Sequence, residues 1–252
     1  SGSMSVNQSH LANNFDTFIN VFAASGVDYQ IAFITTDSPD FVGDVITPLT
    51  VDPVAEAASQ IGSIGYSGSP TEQGFDMSYE ATTGSGDAAP GGSFLRDDAR
   101  LVIIYISDED DWSDTIQYGA DMATHLYSLK SSPALAIAHA VAGDVPGGCT
   151  ANGGATAATE YNNAVTAMGG TFLSICQEDW GTPMEELARD SLGLVEFDLS
   201  QRPIEDTIWV TVDGVASTDW IYDDGDQSII FTVPPPEGSE IVINYAIWPE
   251  CN

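Results

Sequence analysis

The chain has 252 residues, 43% of them hydrophobic and 10% aromatic, enough apolar material to bury a core and to exclude an acidic disordered tail. Five basic residues stand against 38 acidic ones, a net charge of −33, which excludes nucleic acid and anionic membrane as partners because both need a basic surface. No apolar run reaches the ~18 residues of a membrane span, and no signal peptide is legible. Self-repulsion of this size has to be relieved by salt or bound cations, as in brine or a calcium-rich extracellular setting.

Leu11, Phe15, Phe18, Ile19 and Phe22 recur at helical spacing, which predicts a helix over 7–25 stopped by Gly26. Residues 29–34 read as a strand ending in Thr35-Thr36-Asp37, and 38–52 as an irregular stretch with room for one short strand. Asp52-Pro53 opens a helix with a capping side chain and a proline in the first turn. Another helix runs from Thr71 towards Ala81, and 84–92 is a flexible loop. Residues 101–106, Leu-Val-Ile-Ile-Tyr-Ile, show no polar alternation, the pattern of a strand buried on both faces of a parallel sheet. A helix over 114–129, a buried strand over 134–141, a helix over 158–168, a strand over 171–175 and a helix over 183–192 follow. This alternation predicts an α/β domain over 1–193, a mostly parallel sheet flanked by helices.

From residue 194 the period changes. Ile208, Val210 and Val212 alternate with Thr207, Trp209 and Thr211, Asp213-Gly214 signals a hairpin, and further strands fall at 220–222, 228–233 and 240–247. A stiff proline-rich turn at 234–238 separates the last two. Residues 194–252 therefore form a small β-rich appendage. Asp223, Asp224 and Asp226 around Gly225 read as a hairpin turn with solvated acids, the alternative being a calcium loop without its full spacing.

The 101–106 run leads straight into Ser107-Asp108-Glu109-Asp110-Asp111. Open parallel sheets bind ligands beyond the carboxyl ends of their strands, and carboxylates crowded there need a cation or solvent to coexist. Ser1, Ser3, Thr71 and Asp108 each fall where a loop leaves that edge. Together they offer an all-oxygen set for a hard divalent ion, Mg²⁺ or Ca²⁺; for the serines the alternative is helix capping. Asp110, Asp111 and Asp114 are either a second cation site or a solvated face. His10, His125 and His139 lack metal-ligand spacing and are expected to be structural. Gly65-Tyr66-Ser67-Gly68-Ser69 lacks the last glycine of a nucleophile elbow. No phosphate-binding glycine loop appears and no one acid pair stands out, so the chain reads as non-catalytic. Cys149 and Cys176 flank a Gly/Ala-rich loop and a helix, and a disulfide between them would suit an exported protein, leaving Cys251 over.

These segments resemble the metal-binding loops of von Willebrand factor type A domains. Ser1-Gly2-Ser3-Met4-Ser5 resembles the second half of that family's Asp-x-Ser-x-Ser motif. Thr71-Glu72-Gln73-Gly74, ahead of a helix with Met77 and Tyr79, resembles the second loop, and Ile106-Ser107-Asp108 the third. At Phe94-Leu95-Arg96, at Ser107-Asp108-Glu109-Asp110-Asp111, around Cys149 and Cys176, and in the β appendage, the chain is similar to exported bacterial members. The resemblance implies a Rossmann-like sheet over 1–193 with a metal-ion-dependent adhesion site. Ser1, Ser3 and Thr71 would give hydroxyl oxygens, and Asp108 would bind directly or through water. It implies an extracellular or cell-surface binding module that uses Mg²⁺ or Ca²⁺ to grip an acidic group of a protein or glycan. The chain departs from the pattern in several places. The family's first motif residue, an Asp, would lie two positions before Ser1, after a central strand that upstream residues or another polypeptide would supply. Glu109 stands where Gly is usual, and Trp112 where close relatives carry Cys. A second expectation follows from the missing strand: a structural subunit of a surface filament or matrix, built by strand exchange between copies of the chain.

Overall fold

A computed structural model describes the chain except at positions 1, 66, 194–195, 226, 232–234, 236–238 and 249–252. Ser1, Asp226, Cys251 and all but Pro235 of the 234–238 turn thus lie outside the described residues. The chain divides into two compact units, Ser1–Ser191 and Leu192–Asn252.

The first unit opens with a 3-10 turn, Gly2–Met4, and helix α1, Ser5–Ser25. Leu11, Phe15, Phe18, Ile19 and Phe22 form the buried stripe of α1, and Gly26 ends it in the left-handed conformation that glycine adopts without strain. Phe15 and Phe22 pack against Phe33 and Tyr29, with ring centroids 5.4 and 5.5 Å apart, tying α1 to the segment that follows it. Helix α2, Pro53–Ile64, starts as its sequence requires: the Asp52 carboxylate accepts the Ala55 N–H at 3.0 Å, with proline in the first turn. Helix α3 spans Gly74–Ala81, starting later than the expected Thr71.

Strands β1 (Leu101–Ser107), β2 (Ala136–Ala142) and β3 (Phe172–Ser174) form a parallel sheet in the order β1-β2-β3. Helices α4, Gly119–Ser128, and α5, Thr159–Met168, connect them, and α6, Gly181–Leu192, follows β3. All of β2 is buried, as in a strand covered on both faces. One face consists of Ala136, Ala138, Ala140 and Ala142. These small side chains let α4 and α5 approach and bury Met122, Leu126, Ala164 and Val165 above them. Beneath α3 the rings of Phe75, Tyr105 and Tyr161 pack at 4.9–5.2 Å. A disulfide joins Cys149 to Cys176, with Cα atoms 6.2 Å apart.

Two expectations need correction. The helix expected from residue 114 starts at Gly119, because the Asp76 carboxylate binds the N–H groups of Asp114, Thr115 and Ile116 and holds them in a loop. Residues 29–34 do not form a regular strand. Their ladder is reduced to one bridge, Ile31 with Ile46, with one further backbone bond from the Val42 N–H to the Phe33 carbonyl, because the 38–52 stretch that faces them is itself irregular.

The second unit holds two three-stranded antiparallel sheets. Strand β4 is Glu196–Asp198, β5 Trp209–Val212, β6 Val215–Ala216, β7 Trp220–Asp223, β8 Ser228–Phe231 and β9 Ile241–Asn244. The orders are β4-β8-β7 and β6-β5-β9. Val210, Ile229 and Phe231 are the buried centre, with Ile208 beside them. Asp213 and Gly214 both have positive φ, 50° and 76°, the geometry a tight two-residue hairpin demands between β5 and β6. Asp223 and Asp224 lie at the β7–β8 hairpin, where Asp223 accepts the Gly225 N–H and Asp224 pairs with Arg202.

Candidate metal centre

β1 delivers its loop to the carboxyl edge of the sheet, where it is fixed on several sides. Ser107 Oγ donates to the Glu109 carbonyl and accepts the Glu109 N–H, forming a tight turn around Asp108. The Asp108 carbonyl accepts the Thr156 N–H at 2.9 Å, and the Trp112 N–H donates to the Glu72 carbonyl at 2.7 Å. These anchors tie the loop after β1 to the loop before α3 and the loop before α5.

The Asp108 carboxylate is 3% exposed. It accepts a hydrogen bond from the Ser3 hydroxyl, while its Oδ1 atom has no hydrogen-bond partner among the described residues. Glu72, 2% exposed, lies close enough to act on it electrostatically. Glu72 Oε2 in turn accepts from the Thr36 hydroxyl. Burial pushes the Asp108 carboxyl above its ordinary range; the Ser3 hydrogen bond opposes this and the Glu72 charge adds to it. Glu109 is raised for the same reason, burial first and then the charges of Asp108 and Glu72.

No basic side chain of the chain is directed to this acidic corner. Arg96 binds Asp28, Arg100 the Asp190 carbonyl, Lys130 the Arg96 carbonyl, Arg189 Glu185 and Arg202 Asp224, and these are all five of its basic residues. An orphaned carboxylate oxygen, a second buried carboxylate and neighbouring hydroxyls make a hard, all-oxygen donor set. Such a set fits Mg²⁺ or Ca²⁺. Among the described residues, no group of three or more His, Cys, Asp or Glu is arranged to hold a metal ion, so the fit depends on hydroxyl donors as well as carboxylates.

Of the expected ligands, Ser3 and Asp108 are brought together, and Ser1 lies outside the described residues. Thr71 is exposed, and its N–H donates to Ser69 Oγ at 3.0 Å. Its neighbour Glu72 is the residue of that loop buried beside Asp108. Glu72 and Thr36 are the two members the sequence reading missed. Thr36 lies in the hydroxyl-rich end of the 29–34 segment, a signal that was legible; one position decides between Thr71 and Glu72, and only packing shows which turns inward.

The other acids have different work. Asp110 accepts the Glu160 N–H at 2.9 Å in the first turn of α5, and Asp111 accepts the Phe75 N–H at 2.9 Å in the first turn of α3. Glu160 then caps the start of α4 through the Gly119 N–H. Each carboxylate sits at the positive end of a helix. Neither α3 nor α5 has a capping side chain at its own N-cap, so the acidic run supplies the caps from a distance. Asp111 also accepts from Ser113 and from the Tyr161 hydroxyl, and burial pushes its carboxyl up despite these bonds. Asp114 is exposed.

The histidines are separate from this corner. His139 is fully buried, and its Nδ1 accepts the Thr171 N–H at 2.9 Å. His125 Nε2 pairs with the Thr82 hydroxyl at 2.8 Å, and His10 packs on Trp180. No helix among the described residues is long and apolar enough to cross a membrane. Comparison with protein-family models, with curated proteins and with solved structures gives no match. The chain is a mixed α/β protein with a three-stranded parallel sheet flanked by helices and small antiparallel sheets.

Proposed function

We propose that this protein is a non-catalytic binding module that holds Mg²⁺ or Ca²⁺ at the corner formed by Ser3, Glu72 and Asp108 and uses the ion to grip an acidic group of a protein or glycan. The observation that carries the reading is Asp108 Oδ1, a buried carboxylate oxygen without a hydrogen-bond partner among the described residues, near a second buried carboxylate, while the five basic side chains bond to other groups. A buried charge of this kind calls for a counter-charge. A hard cation supplies it, and with few protein carboxylates around it the ion keeps coordination positions for water or a partner's oxygen. Ser3 and Asp108 orient the oxygens, Thr36 fixes Glu72, and the helix-capping acids Asp110 and Asp111 keep the loop rigid.

Trp112 and Tyr118, 62% and 59% exposed, follow Asp108 within the same loop. Exposed aromatic side chains close in sequence to a cation suit a recognition surface rather than a reaction centre. The Cys149–Cys176 disulfide suits an oxidising, extracellular or cell-surface location. The resemblance of the three loops to those of von Willebrand factor type A domains points the same way.

Equilibrium dialysis of metal-stripped protein against Mg²⁺ and Ca²⁺ tests the reading. One saturable site is expected, lost in Asp108→Ala and in Glu72→Ala. Retention on an immobilised acidic peptide should require the ion and disappear in EDTA. Absence of saturable binding in the native chain, or identical binding in both variants, would overturn it.

A further inference from the structure

One cluster of apolar side chains joins the two sheets of the second unit, with Val210 and Val212 supplied by β5 and Ile241 and Ile243 by β9. Side chains alternate across a strand, so the outer face of sheet β6-β5-β9 receives Trp209 and Thr211 from β5 and Val242 and Asn244 from β9. The register sets Trp209 opposite Asn244 and Thr211 opposite Val242. Trp209 is 58% exposed, and Val242 and Asn244 are exposed beside it. Past β9 the chain stays alongside residues 203–207. The Ala246 carbonyl accepts the Ile204 N–H at 2.8 Å, and Ile247 forms a bridge with buried Pro203. Residues paired across a bridge share a face, so Trp248, the next residue, turns to the outer one, where it is 72% exposed. The four positions from Asn244, opposite Trp209, to Trp248 span about 13 Å of extended chain.

Two features set this face apart. Strands β5, β6 and β9 carry no charged residue, in a chain with 38 acids, whereas the other sheet carries Glu196, Asp198 and Asp223. The polar groups of the face are also uncommitted. Trp180 and Trp220 donate their indole N–H groups to the Gln177 and Ser217 carbonyls. Trp209 and Trp248, like the Thr211 hydroxyl and the Asn244 amide, make no side-chain hydrogen bond with the described residues. We propose that this face binds a neutral polysaccharide, with Trp209 and Trp248 stacked on sugar rings and Asn244 and Thr211 bonding to hydroxyls. The occupant follows from chemistry and charge. A sugar ring shows C–H groups on its flat faces and hydroxyls at its rim. Its faces suit the electron-rich face of an indole, and its rim suits an amide and a hydroxyl that both donate and accept. At this face an anionic polymer, or a second copy of the chain, meets the repulsion of a net charge of −33. A cationic partner is drawn to the acids and away from a sheet that has none. The inference is independent of the cation and of the corner around Asp108.

Native affinity electrophoresis of the full chain tests it, in gels holding hydroxyethylcellulose, galactomannan or dextran, each against a gel without polysaccharide. At least one of the three should retard the native chain. Trp209→Ala and Trp248→Ala should each raise the apparent dissociation constant about tenfold, the scale of one lost aromatic contact. Trp209→Tyr and Trp248→Tyr keep a ring and should recover part of the binding. Leu49→Ala removes an exposed apolar side chain of the first unit and should leave retardation unchanged. Retardation should be equal in EDTA and in Mg²⁺ or Ca²⁺, so that a failure of the cation reading leaves this result standing. No retardation by any of the three polymers, unaltered binding in both alanine variants, or loss of binding in EDTA overturns the proposal. A dimer in sedimentation that Trp209→Ala dissociates, without retardation by any polymer, also overturns it and assigns the face to a second copy.

Discussion

Asp108→Asn separates the charge of the candidate centre from its shape. The amide keeps the size of the side chain and an oxygen for the Ser3 hydroxyl, and it removes one negative charge from a buried position that no basic side chain neutralises. In EDTA the native carboxylate is a liability. A buried charged group without its full set of partners costs on the order of 1–3 kcal/mol. The variant should therefore melt higher in EDTA, by about 2–12 °C for a unit of this size. The pH dependence has a definite sign. Burial and Glu72 raise the folded-state pKa of Asp108, so the penalty is absent while the carboxyl is protonated in both states. It grows as pH rises above the ordinary value of about 4, and the advantage of the variant should vanish towards that pH. Saturating Mg²⁺ or Ca²⁺ reverses the order, because an ion at about 100 times its dissociation constant stabilises the native chain by about 2.7 kcal/mol and the variant by far less. Differential scanning calorimetry in EDTA and in each ion reads both effects. A variant that is less stable than the native chain in EDTA, yet gains as much from the ion, would refute the reasoning.

Asp76→Ala should release the 114–116 loop, which its carboxylate holds through three backbone N–H groups; urea unfolding should show a loss of about 2–4 kcal/mol. Burial alone would raise the Asp76 carboxyl, but the N–H groups of Ile116, Thr115 and Asp114 hold it below its ordinary range, so this contribution persists above about pH 4 and is lost as pH falls through the lowered value. His139 titrates in the opposite chemical sense with the same direction in pH. Burial lowers its pKa from 6.5 to about 4, so the unfolded chain takes up the proton first, and stability drops as pH falls from 6.5. By pH 5 the loss should be about 2 kcal/mol. His139→Asn keeps an acceptor near Nδ1 and should flatten the profile between pH 7 and 5, whereas an unchanged slope would place the effect elsewhere.

Local pattern determined much of this protein. The unbroken apolar run of β1 had to be a strand, although Val102, Ile103, Ile104 and Ile106 are only half-buried, Asp52-Pro53 had to open α2, and Asp213-Gly214 had to turn a hairpin, because each depends on neighbours a few residues away. The composition also required a counter-charge for its acids. Tertiary packing alone decided which acids are buried and which bond to backbone N–H groups. Asp110 and Asp111 became caps of helices whose first turns lie about fifty and thirty-six positions away, and Asp76 turned a predicted helical stretch into a loop. Glu72 rather than Thr71 is the buried residue of its loop beside Asp108, and residues 29–34 keep one ladder bridge, Ile31 with Ile46, because the segment that faces them is irregular. Each of these outcomes is a contact between segments far apart in the chain, and no periodicity within one segment encodes its distant partner.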